Sequence, residues 1–335
     1  MVETLRFGLI GCGQQGRQLV TALKTVAATR LIACSDPDPT SLRSVAGADV
    51  ARYADYRAML DQAELDAVLV ATTHSALADA TMAVVDRGRH AFCEKPLATS
   101  ARSAWCVVDA ARRTNVNLMV GYIQRFDPLR RQMKAILEGG ALGTLSHVVA
   151  GKGGPPFQGG WHLSRAHGGG QLLWVGSHLT DQLHWLLGRR VERVFAEIQR
   201  SPANGTDLTT VATLRLEGGL LAHLDCSSAA DDVYDYIEAV GLEGHARSEW
   251  RPDYRLIVQS QRIPGYETPR GLAQAPLTIE AGCIAELSEF ASSIREARPP
   301  AVTGEDAVRV LVVLDAIVLS AESGQPVTLP NADDA

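Results

Sequence analysis

The chain opens on an apolar run at 5–10 that breaks at Gly11-Cys12-Gly13-Gln14-Gln15-Gly16 and resumes with helical spacing at Leu19, Val20, Leu23 and Val26. A second apolar run, 31–34, closes on Asp36. Apolar positions at helical spacing bury one helix face, whereas short continuous apolar runs suit strands covered on both faces. The alternation continues with short helices and a small strand (50–53) across 40–61, and a strand at 66–71. A helix to about 87, a strand at 90–93, a helix at 100–113 and a strand at 117–122 follow. Strands alternating with helices predict a parallel, doubly wound sheet.

The pattern changes after 121. A helix is predicted at 129–138 and a strand at 144–151. Residues 151–170 hold eight glycines and two prolines, which predicts a long loop carrying Trp161, His162, Arg165 and His167. Such loops in folded domains are commonly functional. A helix at 172–187 leads to strands at 191–200, 206–217, 220–228 and 234–241, turning at Asn204-Gly205 and Gly218-Gly219. These predict an antiparallel sheet with one face covered by helices. Helices at 283–297 and 304–323 close the chain.

Bulk composition narrows the class. A length of 335 residues suits two domains, and 46% hydrophobic with 21% charged residues is ordinary for a globular protein. The net charge of −6 gives no electrostatic attraction to nucleic acid or an anionic membrane. No apolar run reaches the ~20 residues of a membrane span, and the chain enters a strand at once, so no leader peptide is expected. Six cysteines, with no CxxC pair and no His/Cys ligand spacing, predict reduced thiols in a cytoplasm and no structural metal. His184, His223 and His245 are scattered and form no metal-ligand pattern.

The chemistry begins at the glycines. Gly11 permits a tight turn off the first strand, Gly13 keeps side chains away from a pyrophosphate, and Gly16 allows helix and strand to approach closely. The helix N-terminus offers unpaired N–H groups to phosphate. Asp36 is placed to accept from ribose hydroxyls and to repel a 2′-phosphate, so the predicted cofactor is NAD rather than NADP. Cys12, Gln14 and Gln15 fill the variable positions of this turn. Thr72, Thr73, His74, Glu94 and Lys95 follow strand ends and line the same predicted crevice.

Four motifs in order carry a family resemblance: GCGQQG at 11–16, EKPLA at 94–98, GYIQRFDP at 121–128 and GGGQLLWVGSHLTD at 168–181. Together with the ending at 301–330, they resemble the glucose–fructose oxidoreductase, inositol dehydrogenase and rhizopine-catabolism (Gfo/Idh/MocA) family. The resemblance implies an N-terminal NAD-binding Rossmann domain over 1–122. It also implies a C-terminal α+β domain over 123–335, with a large, open, mostly antiparallel sheet used in substrate binding and in forming a homodimer or homotetramer. It implies hydride transfer at a sugar, polyol or related cyclic hydroxyl compound, with Lys95 and His178 as the catalytic pair.

The residue chemistry agrees, since alcohol oxidation needs a proton acceptor and a cation at the reacting oxygen. His178 titrates in a suitable range. Asp181, three residues on, is expected on the same helix face to assist catalysis by orienting substrate or imidazole. Trp161 is expected to cover the nicotinamide or to anchor its loop. Arg125, His162 and Arg165 are candidate substrate contacts for an anionic or polyhydroxylated ligand, with Asp127 an alternative partner for Arg125. The sequence departs from the family at Trp174, where an aspartate is usual, and at Leu77, where a histidine is usual. Tryptophan accepts no proton but can stack on a ring. Two other readings stand beside the dehydrogenase: a glycosidase or lyase that uses transient redox with no net NADH, and a dinucleotide-binding protein without catalysis.

Overall fold

In the computed structural model, residues 4–330 are described, apart from positions 46, 48, 252 and 273. The chain divides into two units, Met1–Ile123 with Thr278–Arg309, and Gln124–Leu277 with Val310–Ala335. The sequence reading gave everything after 122 to one domain, whereas 278–309 pack into the first unit.

The first unit is a six-stranded sheet of β1 (Leu5–Ile10), β2 (Thr29–Ser35), β3 (Ala51–Tyr53), β4 (Ala67–Val70), β5 (His90–Glu94) and β6 (Leu118–Gly121), ordered β3-β2-β1-β4-β5-β6. Every pairing is parallel. Helices α1 (Gln14–Leu23), α2 (Pro39–Val45), α3 (Tyr56–Gln62), α4 (His74–Val85) and α5 (Ala101–Thr114) make the crossovers. All four residues of β4 are buried, as a central parallel strand requires. The returning helix Ile279–Arg295 packs on α1 and seals the core. Its Phe290 ring meets Phe7 at 6.2 Å and Phe92 at 5.9 Å, all three fully buried. Each such ring contributes about 1.5–3 kcal/mol on burial. That contact explains why the segment belongs here: its apolar face has its partners on β1 and β5.

The second unit holds α6 (Pro128–Glu138), β7 (Leu145–Gly153), α7 (Ser177–Leu187), β8 (Val191–Arg200), β9 (Asp207–Leu216), β10 (Leu221–Ser227), β11 (Tyr234–Gly241), β12 (Gly244–Arg251), β13 (Arg255–Ser260), β14 (Arg270–Leu272) and β15 (Val327–Thr328). Its nine strands run β14-β13-β12-β11-β7-β10-β9-β8-β15. The sheet is mostly antiparallel, as expected, with β7 and β10 paired in parallel. Four strands, β12 to β14 and the short β15, lie where the sequence analysis assigned none. Strand residues alternate between buried and solvent-facing phases, as in β10, where Ala222, Leu224 and Cys226 are buried. Asp127 caps α6 by accepting from Arg130 N–H at 2.8 Å, with Pro128 in the first turn.

Candidate active site

The first unit assembles the predicted nucleotide-binding residues around the point where strand order reverses, between β1 and β4. Gly11, leaving β1, has φ +92°, and a Cβ there would lie 2.3 Å from the Ala71 carbonyl oxygen at the end of β4. A Cβ on Gly16 would lie 2.0 Å from the Gly11 carbonyl oxygen, so helix and turn touch through glycine alone. Gly13 is different: nothing lies within 4 Å of the position its Cβ would take. It precedes α1 with no side-chain cap, which leaves the helix N-terminus open beside that space. The first two glycines are needed by the protein, and the third leaves room for a ligand.

Asp36 follows β2 and accepts from the Cys12 N–H at 2.7 Å and from the Asp38 N–H at 2.8 Å. These bonds fix the carboxylate beside the glycine turn. Cys12 is buried against Cys34, and their hydrogen bond together with burial pushes its thiol well above the ordinary range, so it is no nucleophile. Thr73 precedes α4 and His74 begins it, buried. The Thr72 hydroxyl donates to the Thr73 carbonyl at 3.2 Å. Gln15, predicted to meet the cofactor, donates its side-chain amide to Glu94 at 2.7 Å, tying the first turn of α1 to the end of β5. Burial pushes the Glu94 carboxyl up, against the opposing pull of the Lys95 ammonium and the Gln15 hydrogen bond. Lys95 itself is half-buried where β5 ends.

The second unit carries the remaining predicted residues. The expected helix at 172–187 begins as a π-helical turn, Leu172–Gly176, before α7. Such turns are rare and recur at functional sites. Trp174 lies inside it, and His178 is in the first turn of α7. Asp207 of β9 accepts from the Leu172 N–H and so holds the start of the turn.

Asp181 lies on α7 three residues after His178. It is buried, and the Arg125 guanidinium grips it at 2.6, 3.0 and 3.1 Å. Arg125 thus pairs with Asp181, while Asp127 caps α6. Trp161 and His162 stack at 4.1 Å, His162 stacks on Phe157 at 4.8 Å, and Trp174 lies edge-to-face against His162 at 4.5 Å and Trp161 at 5.7 Å. Trp161 thus joins His162, Phe157 and Trp174 in one aromatic group. Arg165 is exposed in the short turn Arg165–His167.

One cluster escaped the sequence reading. Asp235, fully buried on β11, accepts from Arg130 at 2.7 Å and from Lys152 and Gln124, and the Gln124 amide oxygen accepts from Gln182 of α7. A signal for it existed. Lys152 shares its strand phase with buried Val148 and Ala150, and Asp235 shares its phase with buried Ile237 and Ala239. A charge on the apolar phase of a strand demands a partner. Among the described residues no group of three His, Cys, Asp or Glu side chains could hold a metal ion.

Comparison with known proteins agrees with the geometry. Residues 5–122 match the oxidoreductase family with an NAD-binding Rossmann fold, and residues 130–247 match the GFO/IDH/MocA C-terminal domain. The chain is similar to inositol 2-dehydrogenase 2 of Saccharopolyspora erythraea, 32% identical over 242 residues covering 69% of each protein. It is also similar to myo-inositol 2-dehydrogenase of Thermotoga maritima, 27% identical over 334 residues, 97% of this chain and 98% of that one. Its fold is similar to that of levoglucosan dehydrogenase in complex with NADH and L-sorbose, with a TM-score of 0.89 at 20% identity over 98% of this chain and 100% of that one.

Proposed function

Because the chain belongs to the GFO/IDH/MocA family of NAD(P)-dependent oxidoreductases, we propose that it transfers a hydride between NAD and a hydroxyl of a sugar, polyol or related cyclic compound. The observation that carries this reading is the glycine turn at the β1/β4 switch point. Its open space at Gly13 and its fixed carboxylate at Asp36 fit a pyrophosphate and an unphosphorylated ribose. The bound nicotinamide supplies the hydride acceptor. In this reading Lys95 stabilises the alkoxide that develops on the reacting oxygen, and His178 takes the hydroxyl proton. Asp181 holds the Arg125 guanidinium in a set orientation, which is a positioning role. The relatives named for inositol support a hydroxylated ring as substrate.

The same reading places the protein in a reducing cytoplasm, supported by six free cysteines of which five are buried. It also makes the protein a homo-oligomer through the exposed face of the nine-stranded sheet.

A panel of sugars and polyols tests the activity by the absorbance of reduced nicotinamide. At least one compound should generate NADH with the native protein, and no absorbance change across the panel would overturn the reading. Lys95→Ala should lower turnover about 10²- to 10⁴-fold while leaving the melting temperature unchanged. Retained turnover would remove Lys95 from the chemistry.

A further inference from the structure

The Asp235 cluster holds more positive than negative charge. Arg130 and Lys152 share the single Asp235 carboxylate, and among the described residues neither side chain forms a second ion pair, although the Asp127 carboxylate accepts from the Arg130 backbone N–H and the Lys152 ammonium lies 5.0 Å from the Trp250 ring centroid. Arg125, in the turn at 123–126, pairs with Asp181 of α7 rather than with Asp235. Arg130 is 1% exposed and its Nη1 has no hydrogen-bond partner, although Nη2 is bonded to Asp235. A buried net charge and an unmet guanidinium donor are both costly unless something supplies the missing anion.

Gln124 bonds both Asp235 and Gln182, and Gln182 lies one helical turn after His178. The charged cluster is therefore joined by side-chain hydrogen bonds to the helix that carries the proposed base. Lys152, with 12% of its side chain accessible at the end of β7, is the member a ligand can reach.

We infer that Lys152, backed by Arg130, binds the carboxylate of an acidic substrate, a sugar acid or cyclic hydroxy acid, through the cation that Asp235 leaves uncompensated. This rests on the proposed dehydrogenase reading and names the substrate class within it. Arg130 fixes Asp235, Asp235 aims the ammonium, and the ligand carboxylate completes the charge balance.

The test is calorimetric titration of the NAD-saturated protein with D-glucuronate, D-galacturonate and D-gluconate, each against its neutral counterpart, D-glucose, D-galactose or D-glucitol. At least one acid should bind on the order of 10- to 100-fold more tightly than its neutral counterpart, and the difference should shrink as sodium chloride rises. In Lys152→Gln the difference should collapse, and in Lys152→Arg most of it should remain. Equal affinities across all three pairs, a salt-independent preference, or a preference intact in Lys152→Gln would each overturn the inference. Should Lys152→Gln fail to fold, the wild-type salt dependence and Lys152→Arg decide it. NADH formed from a neutral polyol with no preference for acids would sink this inference alone. Tight binding of an acid without NAD reduction by any compound would sink the dehydrogenase reading alone.

Discussion

Asp36 accepts from two backbone N–H groups, one of them on the glycine turn itself. The side chain that is proposed to select the cofactor therefore also shapes the loop that holds it. A carboxylate so placed repels a 2′-phosphate and can still accept from ribose hydroxyls. Asp36→Ser keeps one acceptor oxygen and removes the charge. It should weaken NAD binding and strengthen NADP binding, moving the NAD/NADP preference by about 10- to 100-fold. Titration of both dinucleotides into the variant checks this, and an unchanged ratio would detach Asp36 from cofactor choice. Cys12 shows the complementary case: adjacent to the phosphate turn in sequence, its thiol is spent on burial and on Cys34.

At the scale of elements, the segment that matters most is the one that leads into α7. Gly170 sits at φ +119°, and a Cβ there would lie 2.1 Å from an Asp207 carboxylate oxygen. That same carboxylate accepts from the Leu172 N–H at the head of the π turn. Gly170→Ala therefore adds left-handed strain of about 1–3 kcal/mol and pushes Asp207 off the turn. Its urea midpoint should fall with an unchanged slope. Gly271→Ala, where nothing lies within 4 Å, is the control and should stay within about 0.5 kcal/mol of wild type. Equal stability of the two variants would show that Asp207 does not hold the turn. The π turn also explains the placement of Trp174: the residue lies where the wider turn meets the loop, and its ring meets His162 and Trp161.

At the scale of the molecule, one phase of the strands in the nine-stranded sheet is buried and the other is partly or fully exposed. Phe195, Val211 and Leu221 lie on the solvent phase of adjacent strands β8, β9 and β10, at 42%, 41% and 47% exposure. Phe195 stands opposite Thr213, Val211 opposite Glu197 and Asp225, and Leu221 opposite Arg215, so this face mixes exposed apolar and polar side chains. A second copy of the chain is the proposed occupant, and light scattering should give a mass of at least two chains. Phe195→Glu with Leu221→Glu should reduce it to one chain while keeping the far-ultraviolet dichroism. A wild type that runs as a single chain at working concentration would overturn the proposal.

The sequence by itself determined the first sheet, the glycine turn, Asp36 and Glu94-Lys95, because each depends on contacts made within a strand–turn–helix unit. Local spacing encodes such units directly. It also placed the helix carrying His178 and five strands of the second sheet, β7 to β11. Only the tertiary structure decided that 278–309 return to the first unit, since Phe290 finds its partners nearly three hundred residues upstream or two hundred, at Phe7 and Phe92. It alone paired β7 with β10 in parallel, gave Asp181 to Arg125, and gathered Arg130, Lys152 and Asp235 from three distant elements. Hydrogen bonds and ion pairs between remote residues leave no period in the chain. Their trace is a charge on the wrong phase of a strand, which has meaning only once the partner strand is known.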